Sequence, residues 1–542
     1  MAVNQRPEPV GDTAVSVRVE GSATLENIDQ IRGVAEAIAR APPAGMVEIV
    51  ASPGRMTVVY DPLAITSFED FRAAVAGTAA TAALPTGAAG AVTHAIPVTY
   101  DGPDFAEVCA AHGIAPSRLV AAHTEPEYLV EAIGFLPGFG YLTGLSASLA
   151  TPRRPTPRLR VPAGAVGIGG SQTGIYPFAS PGGWNLIGRT TAKLFDPARQ
   201  RPALLAVGDR VRFVPAELPP TDAAPESSPR RTVDSAAITV VAPGLFTTVQ
   251  DLGRPGHRAS GVPLSGAADA VSLRLANLLV GNPENAAGLE CTLLGPTLRF
   301  ERETVIAIAG ADFPGLGSGI ATRVAAGTVI ALGHATQGCR GYLAVAGGIN
   351  VEPVLGSRST LVAACLGGFA GRPLAKGDAL AVGVPTWPPL HRSMGRAMQL
   401  PRGDGPCVLR IIPGEHAEIM EAMGRDAWSR VDRVSSRSDR MGMRLEGQPL
   451  AVPTASASMP SVAVFPGTVQ VPPDGNPIVL LADAQTIGGY PVLGHVIAAD
   501  LPAAAQLRPG DRVCWKLVSL SEAHAALRDR ESRIAAIRDS LS

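Results

Sequence analysis

The chain has 542 residues, with 46 Lys and Arg against 47 Asp and Glu, a formal net charge of −1, and 46% hydrophobic against 17% charged residues. That balance excludes a disordered chain and the basic footprint of a nucleic-acid binder, and the length exceeds any single core, so about three to five domains are expected. No run reaches the roughly 18 apolar residues of a membrane span and the first nine residues are polar with no apolar signal core behind them, so a cytoplasmic protein without membrane contact is expected.

Residues 13–19 alternate like a strand, 25–40 carry apolar residues at helical spacing, and a Pro53-Gly54 turn between two apolar runs is a hairpin signal. Ser67 is placed to cap a second helix, with Glu69 and Asp70 in its first turn. This β-α-β-β-α order predicts a small α+β domain over 1–80, followed by an Ala/Gly/Thr-rich linker over 79–92. A second domain is expected over 93–217. There a strand, two short helices and a strand ending at Ile133 lead into Gly134-Phe135-Leu136-Pro137-Gly138-Phe139-Gly140-Tyr141, a rigid loop presenting aromatic faces. A Pro/Ser-rich linker spans 218–235. Two further domains are read at 236–385 and 405–520, parted by a Pro/Arg-rich stretch, and 521–542 reads as a packing or assembly helix.

The three larger domains share a skeleton of glycines. Gly164, Gly182-Gly183 and Gly208-Asp209 recur as Gly327, Gly347-Gly348 and Gly377-Asp378, and again as Gly467, Gly488-Gly489 and Gly510-Asp511. Short β-branched runs separated by Gly, Pro, Asn and Asp argue for closed β-barrels, and the Gly-Asp before each final strand fits a tight turn. The fold expected is therefore mainly β with an α+β N-terminal domain and three superposable β-barrels, Gly182, Gly347 and Gly488 standing at equivalent turns.

Six scattered cysteines with no C-x-x-C offer neither a disulfide nor a metal framework, and no metal ligand set is assigned. Only Lys193, Lys376 and Lys516 are lysines, so an anion site must rely on arginine, whose planar fork binds carboxylate or phosphate bidentately. Residues 183–190 have P-loop spacing with Arg189 in place of the lysine, but the other copies drop the pattern, so only an anion contact from Arg189 is retained. The polar loops Gln250-Asp251-Leu252-Gly253-Arg254, Ser265 to Asp269, Ser357-Arg358-Ser359-Thr360 and Ser438-Asp439-Arg440 are candidate site loops, with a turn-stabilising network as the alternative. His123 and His495 have the titration range of a general base, against the more ordinary structural role.

Residues 95–213, through IPVTYDGPDF, GFLPGFGYL, VPAGAVGIGGSQTGIYP and SPGGWNLIGRT, resemble the KipI family, the type of allophanate hydrolase subunit 1 or the B subunit of 5-oxoprolinase. Residues 236–520, through PGLFTTVQDLGR, GVPLSGAAD, AGGINVEPVLGSRST and GTVQVPPDGNPIVLLADAQTIGGYP, are similar to KipA, the type of the C subunit. The resemblance implies cyclophilin-like β-barrels and an ATP- and Mg²⁺-dependent opening of 5-oxoproline to glutamate together with a separate LamB/YcsF-type subunit. It also implies that this chain alone is inactive; a homo-oligomer is left open. On that reading His123, Asp251, Asp269 and Asp439 are catalytic candidates, the aspartates also as Mg²⁺ or water holders. Arg189, Arg254, Arg358, Arg440, Gln250 and Gln485 are candidates for substrate or phosphate, and Phe135, Phe139, Tyr141, Trp184 and Tyr490 for the pocket wall. The site is expected where the halves meet, with Arg440→Lys costing activity and little stability. The family also resembles the carboxyltransferase region of urea carboxylase, so carboxylation of urea or a related amide with a biotin carboxylase partner is the alternative. Sensor-kinase regulation ranks last, since fusing inhibitor and antagonist silences the switch.

Overall fold

The computed structural model describes residues 6–19, 25–82, 91–219, 237–385, 393, 405–423, 427–452 and 459–541. Most of each linker expected at 218–235, at 79–92 and between 385 and 405 lies outside the described residues. Near the N-terminus four antiparallel strands lie in the order Glu8–Val10, Ala14–Arg18, Arg55–Tyr60, Met46–Ser52. Helices α1 (Leu25–Arg40) and α2 (Phe68–Thr81) pack on this sheet through Ile31, Val34, Ile38, Phe71 and Val75. The hairpin turns at Pro53-Gly54, with Ser52 opposite Arg55. Ser67 caps α2 by accepting the Asp70 N–H at 3.1 Å, satisfying one of the donors every helix start leaves over.

The next unit curls a seven-stranded sheet, from Asn185–Arg189 at one edge to Thr93–Val98 at the other, nearly shut. The edges meet at a bridge between Thr99 and Arg189, whose N–H groups donate to each other's carbonyls at 2.9 Å. Helices α3 (Phe105–His112) and α4 (Pro116–Thr124) supply Val108, Cys109, Leu119 and Ala122 to its core. The last of the large units is a closed seven-stranded barrel beginning with Cys407–Pro413 and ending with Arg512–Leu517. In both units the final strand runs parallel to the opening one, Arg210–Pro215 beside Thr93–Val98 and Arg512–Leu517 beside Cys407–Pro413. That pairing brings the two ends of the sheet together.

The middle unit corrects the expectation of three alike barrels: it is two sheets, of four and five strands, around one apolar core. Hydrogen bonds establish which strands correspond. Val130, Val240 and Val434 each donate an N–H at 2.9 Å to the aspartate carbonyl of the Gly-Asp turn, and accept from its glycine. Ile238–Ala242 therefore stands where Tyr128–Ile133 and Val431–Val434 stand in the other units. Among the described residues of the middle unit no strand corresponds to Thr93–Val98 or Cys407–Pro413, so the final strand Ala379–Leu380 is left at a sheet edge. Gly182 and Gly488 both lie in short two-stranded ribbons beside a barrel, whereas Gly347 occupies a left-handed turn at φ +92°.

The Gly-Asp turn itself recurs in all three. Gly208, Gly377 and Gly510 have φ between +87° and +91°, and the Asp209, Asp378 and Asp511 carboxylates accept the N–H three residues earlier at 2.7 to 2.9 Å. Helix α5 (Ala270–Leu279) packs against the five-stranded sheet, and the C-terminal helix Leu520–Leu541 packs on α5 through Ile534. His524 ties the same C-terminal helix to the N-terminal sheet, its Nε2 lying 2.9 Å from the Asp12 carbonyl. No helix among the described residues is long and apolar enough to cross a membrane.

Candidate functional site

The aromatic loop folds on itself, Gly134 N–H to Phe139 carbonyl and Phe139 N–H to Leu136 carbonyl, both at 3.0 Å. Phe139 is the hub of an edge-to-face cluster, with ring centroids 4.9 Å from Tyr141, 5.4 Å from Phe135 and Tyr176, and 5.5 Å from Trp184. Phe139 and Trp184 are buried, so they stiffen the loop from behind and do not form an open wall. Two glycines let the three large units touch here: a Cβ on Gly134 would lie 2.5 Å from Ile487 Cγ1, and one on Gly261 2.6 Å from the Leu136 carbonyl. The Gly138 N–H also donates to the Ser260 carbonyl at 2.9 Å.

Into this junction come the loops at 250–269, 355–371 and 481–487. Among the described residues, five of the six non-glycine residues with left-handed backbone lie in its loops: Phe135, Ser265, Leu355, Cys365 and Ala370. Such conformations cost energy and persist where the surroundings enforce them, which marks this region as a site candidate. Asp251 pins two of the loops together. Its carboxylate accepts the Gly253 N–H at 2.8 Å, the Ser357 hydroxyl and the Arg358 N–H at 2.6 Å, and the Ser359 hydroxyl.

Arg254 is 1% exposed, and one of its nitrogens donates to the Ser359 carbonyl. Its Nε and Nη1 are buried with no protein partner, as are Gln250 Oε1, Ser265 Oγ and Thr486 Oγ1. Burial lowers the affinity of the Arg254 guanidinium for its proton, while Asp251 and Asp483 oppose that change. The loops that carry Gln250, Arg254 and Ser265 are tied by hydrogen bonds from Gln250 Nε2 to the Thr360 carbonyl, Arg254 N–H to the Leu264 carbonyl, and Ser265 N–H to the Ala482 carbonyl. Buried donors and acceptors without partners are costly, and these lie on the loops that meet at the junction.

Arg440 is the opposite case. Its Nε and Nη2 grip Asp483 at 2.8 and 3.0 Å, Nη2 also reaches the Gly266 carbonyl at 2.6 Å, and Nη1 pairs with Glu290. Glu290 further accepts the Ala268 N–H at 3.0 Å and the Tyr342 hydroxyl at 2.8 Å. Burial alone would raise the Glu290 carboxyl, but Arg440 and Arg340 outweigh it and hold the group below the usual range. Arg440 is thus a lock between the middle unit and the closed barrel. The expectation that Arg440→Lys would leave stability unchanged is corrected, because a lysine cannot replace the bidentate fork.

The remaining candidates scatter. His123 is fully buried, its Nδ1 2.8 Å from the Tyr100 hydroxyl, its Nε2 2.9 Å from the Thr173 hydroxyl and its ring stacked on Phe213. Burial drops it to about 3, so it is a neutral core residue, the structural role set beside that of a general base. His495 is likewise buried and lowered to about 4. Arg189 serves the seam of the first barrel, bonded to Asp101 at 2.8 Å and to the Pro219 and Leu218 carbonyls. Arg358 bonds the Val351 carbonyl at 2.9 Å. Asp439 is exposed and closes a turn onto the Met441 and Gly442 N–H groups, and Gln485 is half-buried beside Thr486. Asp269 caps α5, bonded to Ser272 and to Gln506 Nε2 at 2.7 Å, and burial raises its carboxyl. Tyr490 belongs to a different place, a cavity against the N-terminal hairpin.

Asp251 and Asp269 have both carboxylate oxygens committed to protein donors and Asp439 closes an exposed turn, so these three do not make a site that fits Mg²⁺, and the described residues hold no group of three His, Cys, Asp or Glu suited to a metal. Residues 185–189 form a strand with no helix after it, which does not fit a P-loop for ATP either. Sequence reasoning missed Glu290, Asp483 and Thr486, and named Ser265 only as the start of a polar loop. For Glu290 a signal existed, a lone charge inside the apolar run Ala287 to Leu294.

Comparison with known proteins bears on both halves. Residues 5–205 match the model for a carboxyltransferase domain, subdomains C and D, and residues 260–517 match that for subdomains A and B. The chain is 40% identical over 301 residues to the C subunit of 5-oxoprolinase from Escherichia coli K12, covering 54% of this chain and 95% of the relative. It is 58% identical over 123 residues to the B subunit of 5-oxoprolinase from Escherichia coli O157:H7, covering 22% of this chain and 56% of the relative. Among solved structures, TTHA0988 superposes with a TM-score of 0.79 at 36% identity, covering 93% of this chain and 99% of the other.

Proposed function

This chain belongs to the carboxyltransferase-domain family, with halves similar to the B and C subunits of 5-oxoprolinase, and on that footing we propose that it is the fused B and C component of an ATP-dependent 5-oxoprolinase. It acts with a separate LamB/YcsF-type subunit, converting 5-oxoproline to L-glutamate in the cytoplasm. The observation that carries this reading is the group of unpartnered polar atoms where the two halves meet. 5-Oxoproline is a five-membered lactam bearing a carboxylate, and the unpartnered atoms at the junction are complementary to it in kind. The two spare Arg254 nitrogens suit the carboxylate, Gln250 Oε1 suits the lactam N–H, and the Ser265 and Thr486 hydroxyls suit the ring carbonyl.

In the overall change water adds across the amide: the C–N bond breaks, the carbonyl carbon gains oxygen and the nitrogen becomes the amine of glutamate. A resonance-stabilised lactam resists this, so the change would need ATP and Mg²⁺, for which the described residues of this chain offer no fitting site. The contribution of this chain is to bind, orient and shield. The packed Phe139 cluster and the Asp251 clamp hold the loops, and rigid donors aimed at developing charge contribute more than mobile ones. The test is reconstitution with the LamB/YcsF-type subunit. 5-Oxoproline-dependent ADP release and glutamate formation are expected from the pair and from neither chain alone. Urea-dependent turnover in place of it, or full activity of this chain by itself, refutes the reading.

A further inference from the structure

A cavity of about 240 Å³ lies away from the junction, between the hairpin at Pro53-Gly54 and the closed barrel. Arg18, Arg55 and Glu415 line it, two guanidinium groups against one carboxylate. Arg55 holds both Glu415 oxygens at 2.5 Å and Arg18 reaches Glu415 at 3.3 Å, so the two cations share one anion. Glu8 pairs with Arg18 at 2.9 Å from outside the lining, and its half-exposed side chain makes that pair a screened surface contact. Burial alone would raise the Glu415 carboxyl, but Arg55, Arg18 and His416 outweigh it and hold the group below the usual range. The described lining therefore carries one positive charge beyond what its own carboxylate cancels.

Donors remain for a ligand. Arg18 Nη1, Arg55 Nε and His416 Nε2 are accessible and make no hydrogen bond to the described protein, whereas Arg18 Nε is buried and takes no part. His416 Nδ1 accepts the Val492 N–H at 3.1 Å, which leaves the ring proton on Nε2. Apolar contact comes from Met459 and from Tyr490, a tyrosine 43% exposed although Ile487 and Val492 near it in the chain are buried. Guanidinium donors with an aromatic wall beside them are the composition of a site for a small carboxylate.

We propose that this cavity is a second binding site, for a small monocarboxylate with an apolar body, the carboxylate accepting from the spare N–H groups of Arg18, Arg55 and His416 and the body lying against Tyr490 and Met459. It uses no residue of the junction. The experiment is a saturation-transfer NMR titration of the full chain with cyclopentanecarboxylate as the probe and cyclopentanecarboxamide as its neutral counterpart. The carboxylate is expected to bind saturably, about tenfold tighter than the amide, and to weaken as salt is raised. Arg254→Gln removes the spare cation of the junction and is expected to leave this binding in place. Glu415→Gln removes the competing carboxylate and frees both Arg55 Nη donors, so the probe is expected to tighten about tenfold, the scale of one charge-assisted hydrogen bond; a Glu415 that only held the hairpin would give no such gain. Tyr490→Ala breaks no ion pair and is expected to weaken the probe about fivefold, the scale of one aromatic contact. Absence of saturable binding, equal affinity for the amide, loss of the signal in Arg254→Gln, or unchanged affinity in Glu415→Gln or Tyr490→Ala overturns the proposal. The Tyr490→Ala arm stands even if Glu415→Gln disturbs the packing of the hairpin.

Discussion

Two arginines buried at the same junction have opposite surroundings. Arg440 spends its guanidinium on Asp483, Glu290 and the Gly266 carbonyl, whereas Arg254 makes one side-chain contact and keeps Nε and Nη1 unpaired. In the first region the guanidinium donors are all used, and in the second two are not. Burial of a charged side chain therefore says little about its role; what separates a lock from a binding group is whether its donors are already consumed. His123, with both ring nitrogens occupied, falls on the side of the lock.

The largest effect is expected at Arg440. Arg440→Lys should lose about 3 to 5 kcal/mol of stability, because Asp483 and Glu290 stay buried with too few donors, and this is read as a fall in the denaturant midpoint. Undiminished stability would erase the distinction between the two arginines. At Arg254 the expected loss is functional: Arg254→Gln in the reconstituted complex should lower kcat/KM about a hundredfold, or about 2.7 kcal/mol, with the denaturation midpoint held or raised since an unpaired buried charge is removed.

A pH titration draws the same line at His123. Burial places it at about 3 in the folded chain against an ordinary value of 6.5, so between those values the unfolded chain binds the proton that the folded chain excludes. The stability it contributes is complete above about pH 6.5 and falls as pH drops toward 3, by about 2 kcal/mol near pH 5, and His123→Gln should flatten that slope. The smallest effect belongs to Ser265, whose φ of 53° is left-handed. Ser265→Gly relieves that backbone and removes an unpaired buried hydroxyl, for a gain of about 0.5 to 1 kcal/mol, while turnover in the complex falls. A gain in both would place Ser265 outside the site.

Features whose cause lies within a few residues are legible in the amino-acid sequence itself. Gly54 at the hairpin, Ser67 at the start of α2 and the three Gly-Asp turns follow from glycine's access to positive φ and from short oxygen-bearing side chains that bond their own backbone. What remained closed to sequence reasoning depends on partners far away along the chain. Arg440 is saturated by residues 43 and 150 positions distant, and Arg254 differs from it only in what the fold brings alongside. The barrel form is decided in the same way: a strand at each end must find the other, and the described middle unit has no counterpart of the opening strand, though its glycine skeleton repeats. Local backbone chemistry writes turns and caps, but closure of a sheet and satisfaction of a buried charge are set only when distant segments compete for the same hydrogen bonds.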